Sequence, residues 1–282
     1  MTTSEPLSAV SRTALSVALV RAVETARPDP LFRDPYAVAF VAASGTPMPS
    51  ARRSEGFARA LAFQGVIRTR YYDDRLLGAG CDQVVLLAAG LDARAHRLDW
   101  RPGTRLFELD LPPVLDFKER VLGEEAAEAR CERSVVAADL LGDDWPDRLL
   151  GAGFDPARPT AWLAEGLLVY LAEHEAAHLL STVGALSAPR SRLFLERGRD
   201  VSATPREAEL ASITDLWKGG LGPGTHEWLA RHGWSVEVSD LVTVAAGYGR
   251  PTQRVTTAGF ISAERTAPDR DAGAAEPGSA QI

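Results

Sequence analysis

Short apolar runs alternate with segments of helical spacing through the middle of the chain. Five runs predict strands, and they cover Val84–Ala89, Arg105–Asp110, Ser134–Asp139, Thr160–Leu168 and Arg192–Glu196. Between them lie helical stretches, which include Ala93–Leu98, Val114–Leu122 and Glu173–Leu186. This alternation is typical of parallel strands joined by crossover helices. The pattern therefore predicts an α/β fold with a doubly wound, mostly parallel sheet.

Two further strands are predicted near the end of the chain, at Ser235–Val242 and Gln253–Ser262. No helical segment of useful length separates them, so we expect them to pair as a hairpin or through a short loop. They bring the sheet to seven strands, with one antiparallel strand at the end of an otherwise parallel sheet. Residues 200–224 are polar and rich in glycine, which predicts an insertion.

Helical spacing also marks the residues before Gly78. It predicts a helix from Ser11 to the prolines at 28 and 30, a second helix over Pro35–Ala43 and a third over Glu55–Gly78. The sequence thus divides into an N-terminal helical segment (1–79), a main domain (80–263) and a tail (264–282). The tail consists largely of Ala, Gly, Pro, Asp and Ser, and it is predicted to be disordered because it has little apolar surface to bury.

Composition narrows the function without fixing it. The chain carries 31 Lys and Arg against 38 Asp and Glu, a net charge of −7, which argues against a nucleic-acid partner. Cys81 and Cys131 are the only cysteines and neither lies in a CxxC pair, so no disulfide framework and no metal site are predicted. Neither a run of about 20 apolar residues nor a basic leader is visible, so we expect a cytoplasmic protein without a membrane partner.

The first predicted strand ends in small residues and a glycine, Gly90, before a helix begins. In a doubly wound sheet this place binds ligands, although a strand packed under a helix without a ligand would look the same. The next strand ends in Asp110, 20 positions later, where an acidic side chain can accept hydrogen bonds from ribose hydroxyls. Glu108 shares that face, but Asp110 lies at the strand tip and is the better candidate. The alternative is that Asp110 only caps the turn before Pro112.

Two more acidic residues, Asp139 and Glu165, lie at or within the ends of later strands. Together with Asp110 they predict one rim with three hydrogen-bond acceptors, suited to a ligand with ribose hydroxyls, an adenine amine and an ammonium group. NAD would need a G-x-G-x-x-G turn to hold its pyrophosphate, which residues 88–93 lack. S-adenosyl-L-methionine (SAM), which has no phosphate and carries a cationic sulfonium, fits better and is the predicted cofactor.

The chain from about Ser11 to Ala263 resembles the bacterial branch of the leucine carboxyl methyltransferase-like SAM-dependent methyltransferases, which includes carboxyl O-methyltransferases of polyketide biosynthesis. The motifs that carry the resemblance are Ser11–Ala14, Asp34–Tyr36, Arg68–Tyr71, Leu87–Arg94, Phe107–Pro112, Asp139–Leu140 and Glu165–Leu171. The family usually has glycine where this chain has Ala88. The resemblance implies a class I methyltransferase fold with an N-terminal helical lid, which we expect to close over the cofactor.

The resemblance also implies roles for single residues. Gly90 would approach SAM, Asp110 would hold the ribose, and Asp139 with the backbone of Leu140 would bind the adenine. Glu165 would face the methionine part or the substrate mouth, and Arg70 would pair with the methionine carboxylate. A solvated charge on the helix is the alternative for Arg70.

The predicted reaction is methyl transfer to a small-molecule acceptor, with a carboxylate of a natural-product acid as the favoured group. Alignment rather than acid–base chemistry carries such a transfer, so no catalytic residue is predicted beyond Glu165 and Tyr170 as candidates near the acceptor. The arginines expected to flank the mouth are Arg68, Arg70, Arg197 and Arg199. Three aromatic residues are predicted to line an aromatic substrate pocket or to belong to the core, namely Trp217, Tyr71 and Tyr72. An NAD-dependent oxidoreductase and a non-catalytic SAM-binding protein are the alternatives.

Overall fold

A computed structural model describes residues 9–45, 56–203, 214–253 and 256–267, and these contain a seven-stranded sheet. The strands are β1 (Gln83–Leu87), β2 (Arg105–Asp110), β3 (Glu132–Ala137), β4 (Thr160–Ala164), β5 (Arg192–Glu196), β6 (Trp234–Asp240) and β7 (Gly259–Arg265). Most of the predicted tail, most of the loop between the second and third helices and residues 204–213 of the predicted insertion lie outside the described ranges.

The strand order is β3-β2-β1-β4-β5-β7-β6. Strands β1 to β5 pair in parallel, and β7 is antiparallel to both of its neighbours, β5 and β6. This arrangement confirms the doubly wound sheet with one antiparallel strand. The antiparallel strand is not at the edge, however. It is inserted between β5 and β6, which leaves β6 as the edge strand.

Helices flank the sheet and precede it. They are α1 (Ala9–Thr25), α2 (Pro35–Ala43), α3 (Gly56–Leu77), α4 (Arg94–Arg97), α5 (Pro112–Glu124), α6 (Trp145–Gly151), α7 (Glu173–Ala185), α8 (Thr225–Arg231) and α9 (Leu241–Gly247). Helix α2 begins at Pro35 because the Asp34 side chain caps it, accepting a hydrogen bond from the Ala37 amide at 2.9 Å. None of the described helices is long and apolar enough to span a bilayer.

Helix α9 corrects the expectation that no helix separates the last two strands. Leu241 and Ala245 are four residues apart, so they share one helix face, and both are buried against the core beneath α3. A segment this short shows only two buried positions, which is too few for the periodicity to stand out in the sequence. Strand β7 consequently begins later than predicted and continues to Arg265, two residues beyond the expected end of the main domain.

Alternating residues of β1 pack on opposite faces of the sheet. Val85 and Leu87 belong to the core shared with α6, α7 and α8, whereas Val84 and Leu86 face α3 and α9. Strand β1 lies between β2 and β4. The strand order therefore reverses direction at β1, and a crevice opens at the carboxyl ends of these strands. Helices α1 and α2 pack with α5 over the turn after β1, and this third cluster includes Leu91.

Candidate functional site

A cavity of about 580 Å³ opens where the carboxyl ends of β1 to β5 meet the N-terminal helices. Small-molecule sites typically enclose about 300–1,000 Å³, so the space suits a nucleoside-sized ligand with room for a second molecule. Most of the predicted site residues line it, namely Gly90, Asp110, Asp139, Leu140, Glu165 and Tyr170.

The order of these residues along the rim follows the order of the strands. Asp139, Asp110, Gly90 and Glu165 come at or just after the ends of β3, β2, β1 and β4, which stand side by side. The sheet therefore brings the three carboxylates together on one cavity, with the glycine turn between them, as the rim predicted from the sequence requires.

The turn after β1 is built so that its backbone faces Asp110. Gly90 has a φ of +52°, a left-handed conformation that favours glycine, and a Cβ there would stand 3.4 Å from Ala14 of α1. Its amide donates to Asp110 Oδ2 at 2.5 Å, and the Leu111 amide donates to Asp110 Oδ1 at 2.7 Å. Ala88 also adopts a positive φ, +51°, which explains why a glycine is usual at this place and why β1 stops at Leu87.

Asp110 is 6% exposed, and this burial raises the pKa of its carboxyl although the two amides lower it. It forms no ion pair with any described residue, so each oxygen keeps a lone pair for a ligand. The competing residue Glu108 points away from the cavity and is fully buried against Lys118 and Arg133, with contacts of 2.9 and 2.6 Å. Asp110 also bonds the Leu111 amide just before Pro112, as the alternative role at this turn predicts, although α5 itself has no side-chain cap. This one bond does not use up the carboxylate.

Asp139 is exposed, and its Oδ1 accepts a hydrogen bond from the Leu141 amide at 2.9 Å. Leu140 beside it is buried and lines the cavity floor. This end of the rim therefore combines an accessible carboxylate with an apolar wall.

Glu165 is held between two guanidinium groups. Arg68 Nε and Arg94 Nη1 each lie 2.8 Å from its carboxylate oxygens. Burial alone would raise the pKa of Glu165, but Arg94 and Arg68 bring the pKa below its ordinary value. Arg68 also pairs with Glu196 at 2.7 Å, and Glu196 in turn accepts a hydrogen bond from the Gly166 amide. Because Gly166 has a φ of +65°, the chain leaves the strand there, and β4 ends at Ala164 rather than at the predicted Leu168.

Arg94 is the centre of a buried network that extends below the cavity. None of its side chain is exposed, and it contacts Asp73 at 2.7 Å, Asp92 and Glu165. Burial alone would raise the pKa of Asp92, but the charge of Arg94 holds it far below its ordinary value. Arg21 of α1 continues the network, since it pairs with Asp34 at 3.1 Å and donates to the Leu91 carbonyl. The helix that covers the cavity is thus tied to the turn after β1.

Arg70 is the one predicted site residue that does not line the cavity. Its side chain is 41% exposed and contacts Asp74, the Leu31 carbonyl and the ring of Tyr248. Residues two positions apart on a helix point to nearly opposite sides, so only one of Arg68 and Arg70 can face inward. The structure corrects the sequence-based choice, because of these two arginines Arg68 lines the cavity and Arg70 does not.

Helices α1 and α3 form the roof of the cavity, to which Ala14, Val17 and Leu61 contribute. This position suits a lid, and ordering of these helices on cofactor binding stays a prediction. Trp217 lines the cavity as well, whereas the other aromatic candidates, Tyr71 and Tyr72, belong to the core.

Sequence reasoning missed the roles of Arg94 and Glu196. A carboxylate within an apolar strand needs a partner, so Glu165 was the available signal. Arg94 follows the glycine turn by only four residues, yet it lies 71 positions from Glu165 in the chain. Across the described ranges, no three His, Cys, Asp or Glu side chains stand close enough to hold a metal ion.

Known proteins share this fold and much of this sequence. Residues 14–184 match the family described as Leucine carboxyl methyltransferase. A protein of Parafrankia sp. strain EAN1pec is 48% identical over 271 residues, covering 91% of this chain and 87% of the relative, and one of Frankia alni is 50% identical over 269 residues, covering 91% and 94%. Both relatives carry the provisional name S-adenosyl-L-methionine-dependent methyltransferase.

Among solved structures, a protein from Thermobifida fusca, provisionally named a methyltransferase, superposes with a TM-score of 0.54 at 19% identity, covering 89% of this chain and 94% of its own. At that identity the match concerns the fold. It agrees with the seven-stranded sheet described above.

Proposed function

Because the chain belongs to the leucine carboxyl methyltransferase family and is a SAM-dependent methyltransferase, we propose that it methylates a carboxylate oxygen of a small natural-product acid. The same finding overturns the two alternatives raised by the sequence. An NAD-dependent oxidoreductase and a binding protein without catalysis both disagree with the family and with the activity named for its relatives.

The residues at the rim fit this cofactor. Gly90 leaves no side chain between the turn and the cavity, and Asp110 keeps lone pairs on a buried carboxylate. We propose that Asp110 accepts hydrogen bonds from the ribose hydroxyls, that Asp139 and the Leu140 backbone bind the adenine, and that Gly90 lies against the ligand. Arg68 replaces Arg70 as the proposed partner of the methionine carboxylate, and Glu165 orients it.

When bound, SAM supplies a methyl group from its sulfonium, and the carbon–sulfur electron pair stays with the sulfur of S-adenosylhomocysteine. A carboxylate acceptor enters already ionised, provides the electron pair of the new oxygen–carbon bond and releases no proton. The chain then has to hold and align the acceptor, and alignment alone can contribute about 7–11 kcal/mol.

One observation carries the choice of acceptor, which is that the carboxylates at the arginine end of the cavity, where the methionine part of SAM is proposed to lie, are poor bases. Asp110, whose pKa is raised, is assigned to the ribose instead. Glu165 and Asp92 have a lowered pKa because arginines offset the effect of their burial, and Glu196 is paired with Arg68. No histidine or cysteine lines the described cavity. An alcohol or phenol would need a base at this place, whereas a carboxylate needs none.

The test follows the label of [methyl-³H]SAM incubated with the full chain and a set of small acids, namely benzoate, phenylacetate, trans-cinnamate and octanoate. We expect a product that releases its label as volatile methanol on mild alkaline treatment, because methyl esters hydrolyse there. Label that resists alkali would identify an ether or a methylated nitrogen and would contradict the proposal.

The remaining expectations from the sequence are also proposals. We propose a small-molecule partner rather than a nucleic acid or a membrane, a cytoplasmic location and a role in secondary metabolism. Tyr170 lines the same cavity as Glu165 and is proposed to contact the acceptor rather than to exchange a proton.

A further inference from the structure

Arg199 differs from the other arginines that line the cavity. Arg21 pairs with Asp34, Arg68 with Glu165 and Glu196, and Arg197 approaches Asp240 at 3.8 Å. Arg199 pairs with no carboxylate of the described chain. Its Nη2 donates to the Gln64 side-chain oxygen at 2.8 Å, and its guanidinium lies 5.3 Å from the centre of the Trp217 ring.

This guanidinium is half-buried, and the burial lowers the pKa of Arg199 although Glu196 raises it. An arginine remains charged in any protein, so the positive charge stays. Charges taken out of water are normally paired, because an unpaired one loses hydration without compensation. An anion is therefore the group that this position lacks.

A second donor lies beside it. Trp217 Nε1 is buried and has no hydrogen-bond partner in the described part of the chain. Buried indole N–H groups usually have an acceptor. The Arg199 guanidinium thus lies over the ring that carries this N–H, and apart from Gln64 the two side chains have no described acceptor for their N–H groups.

Helix α3 shows how close Arg199 lies to the end of the cavity where the cofactor is proposed to bind. Gln64, which holds Arg199, is one helical turn before Arg68, and side chains four residues apart lie about 5–6 Å from each other on the same face. Arg68 is bonded to Glu165. The position of Arg199 therefore borders the part of the cavity to which the methionine end of SAM is assigned. The same cavity has apolar lining, to which Leu61, Leu168 and Leu216 contribute.

We propose that Arg199, supported by Gln64 and the Trp217 indole N–H, holds the carboxylate of the methyl acceptor, and that the acceptor is an acid with a flat apolar body. This inference rests on the proposed carboxylate methylation and names the residues that select for it. Arginine binds a carboxylate through two parallel N–H bonds, which also fixes the plane of the acceptor. The apolar body lies against the three leucines and the aromatic ring.

The test compares four acids with their amides, which keep the same body and lack the charge: benzoate, phenylacetate, trans-cinnamate and octanoate. Calorimetry on the full chain saturated with S-adenosylhomocysteine measures each affinity. We expect at least one acid to bind ten times more tightly than its amide, with the aromatic acids ahead of octanoate. Arg199→Gln is expected to reduce the ratio of the acid's affinity to the amide's affinity below two. The affinity of this variant for S-adenosylhomocysteine should stay within twofold of the wild type.

Arg192→Gln is the matched control, because it removes the same charge from the strand that precedes Arg199. Arg192 begins β5 and pairs with Glu264 on the surface. This control variant should keep the wild-type ratio. If Arg199→Gln does not fold, Arg199→Lys keeps the charge but loses the planar fork, and a ratio between those of the wild type and two is expected. Lack of anion preference in the wild type, or the full wild-type ratio in Arg199→Gln or Arg199→Lys, would overturn the inference.

The turnover assay separates this inference from the function on which it rests. Label that resists alkali would contradict carboxylate methylation itself. Alkali-labile methylation with an unchanged KM in Arg199→Gln would leave the function standing and would overturn only the role of Arg199.

Discussion

The two halves of the cavity rim hold their carboxylates in different ways. In the aspartate half, Asp110 and Asp139 accept hydrogen bonds from backbone amides and form no ion pair with the described residues. In the arginine half, Glu165 and Glu196 are bound by Arg68, and Arg94 adds a second guanidinium to Glu165. A carboxylate held only by amides keeps its charge and lone pairs for a ligand. A carboxylate whose oxygens are paired with arginines has no such capacity left, and instead it fixes the positions of those arginines.

The pKa shifts reflect the same difference. Burial raises the pKa of Asp110, whereas the arginines offset burial and lower the pKa of Glu165. The ionised form of Asp110 thus stands partly uncompensated in the folded chain, and a ligand with hydroxyl donors would stabilise it. We interpret the aspartate half as the part that binds the cofactor and the arginine half as the frame that positions it.

The largest expected effect comes from breaking the frame at Arg94. Arg94→Gln leaves the buried carboxylates of Asp73, Asp92 and Glu165 without their shared cation, and breaking a buried pair in this way typically costs about 3–5 kcal/mol. Denaturant unfolding should show a loss of that size in the free energy of unfolding. Arg70→Gln, which breaks an exposed pair, serves as the control and should change it by about 0–1 kcal/mol. Equal effects of the two variants would contradict a frame built on Arg94.

The acid dependence of stability should distinguish the two halves by sign. The pKa of Glu165 is lower in the folded chain than its ordinary 4.5, so its contribution to stability is present above that pH and is lost as the pH falls through the folded value. The pKa of Asp110 is raised above 3.8, so the folded chain takes up this proton first, and its stability gains on acidification.

Unfolding free energies of Glu165→Gln and Asp110→Asn between pH 7 and pH 3 measure these opposite signs. Glu165→Gln should be less stable than the wild type at pH 7, and this difference in unfolding free energy should shrink as the pH falls. Asp110→Asn should instead become less stable relative to the wild type over the same interval. Parallel curves for the two variants would show that the halves do not differ electrostatically.

A smaller effect is expected where the two halves meet, at Ala88. Its φ of +51° is unfavourable for any residue with a Cβ, so Ala88→Gly should stabilise the chain by about 0.5–1 kcal/mol. Ala89 is the matched control because it is buried and is not among the residues with positive φ. Ala89→Gly should therefore destabilise by about 0.5–1 kcal/mol. Thermal unfolding compares both, and a loss of stability in Ala88→Gly would contradict the strain at this turn.

Much of this arrangement follows from local pattern. The strands β2 and β5 have the predicted bounds because their apolar runs end at charged residues, and Asp110 could be chosen because it lies at a strand tip. The sheet order then brings Asp139, Asp110 and Glu165 together, since carboxyl ends of neighbouring parallel strands share one edge. These predictions needed only periodicity and topology.

What failed depended on the rotation of a helix or on contacts between distant segments. Arg68 and Arg70 are the same residue type on the same helix, and only the packing of α3 shows which one faces the cavity. Arg94 is 71 residues from Glu165, so no local spacing reveals their bond. The insertion of β7 between β5 and β6 is likewise a matter of strand pairing, which neither strand's own sequence expresses.

The most direct test measures affinity for S-adenosylhomocysteine and folding stability together in Asp110→Asn and Glu165→Gln. Calorimetry should show that Asp110→Asn loses at least tenfold in affinity, about 1.4 kcal/mol, with a smaller change in the free energy of unfolding. Glu165→Gln should lose more in unfolding free energy than in binding free energy. The reverse pattern, in which Asp110 governs stability and Glu165 governs affinity, would contradict the division of the rim into a binding half and a frame.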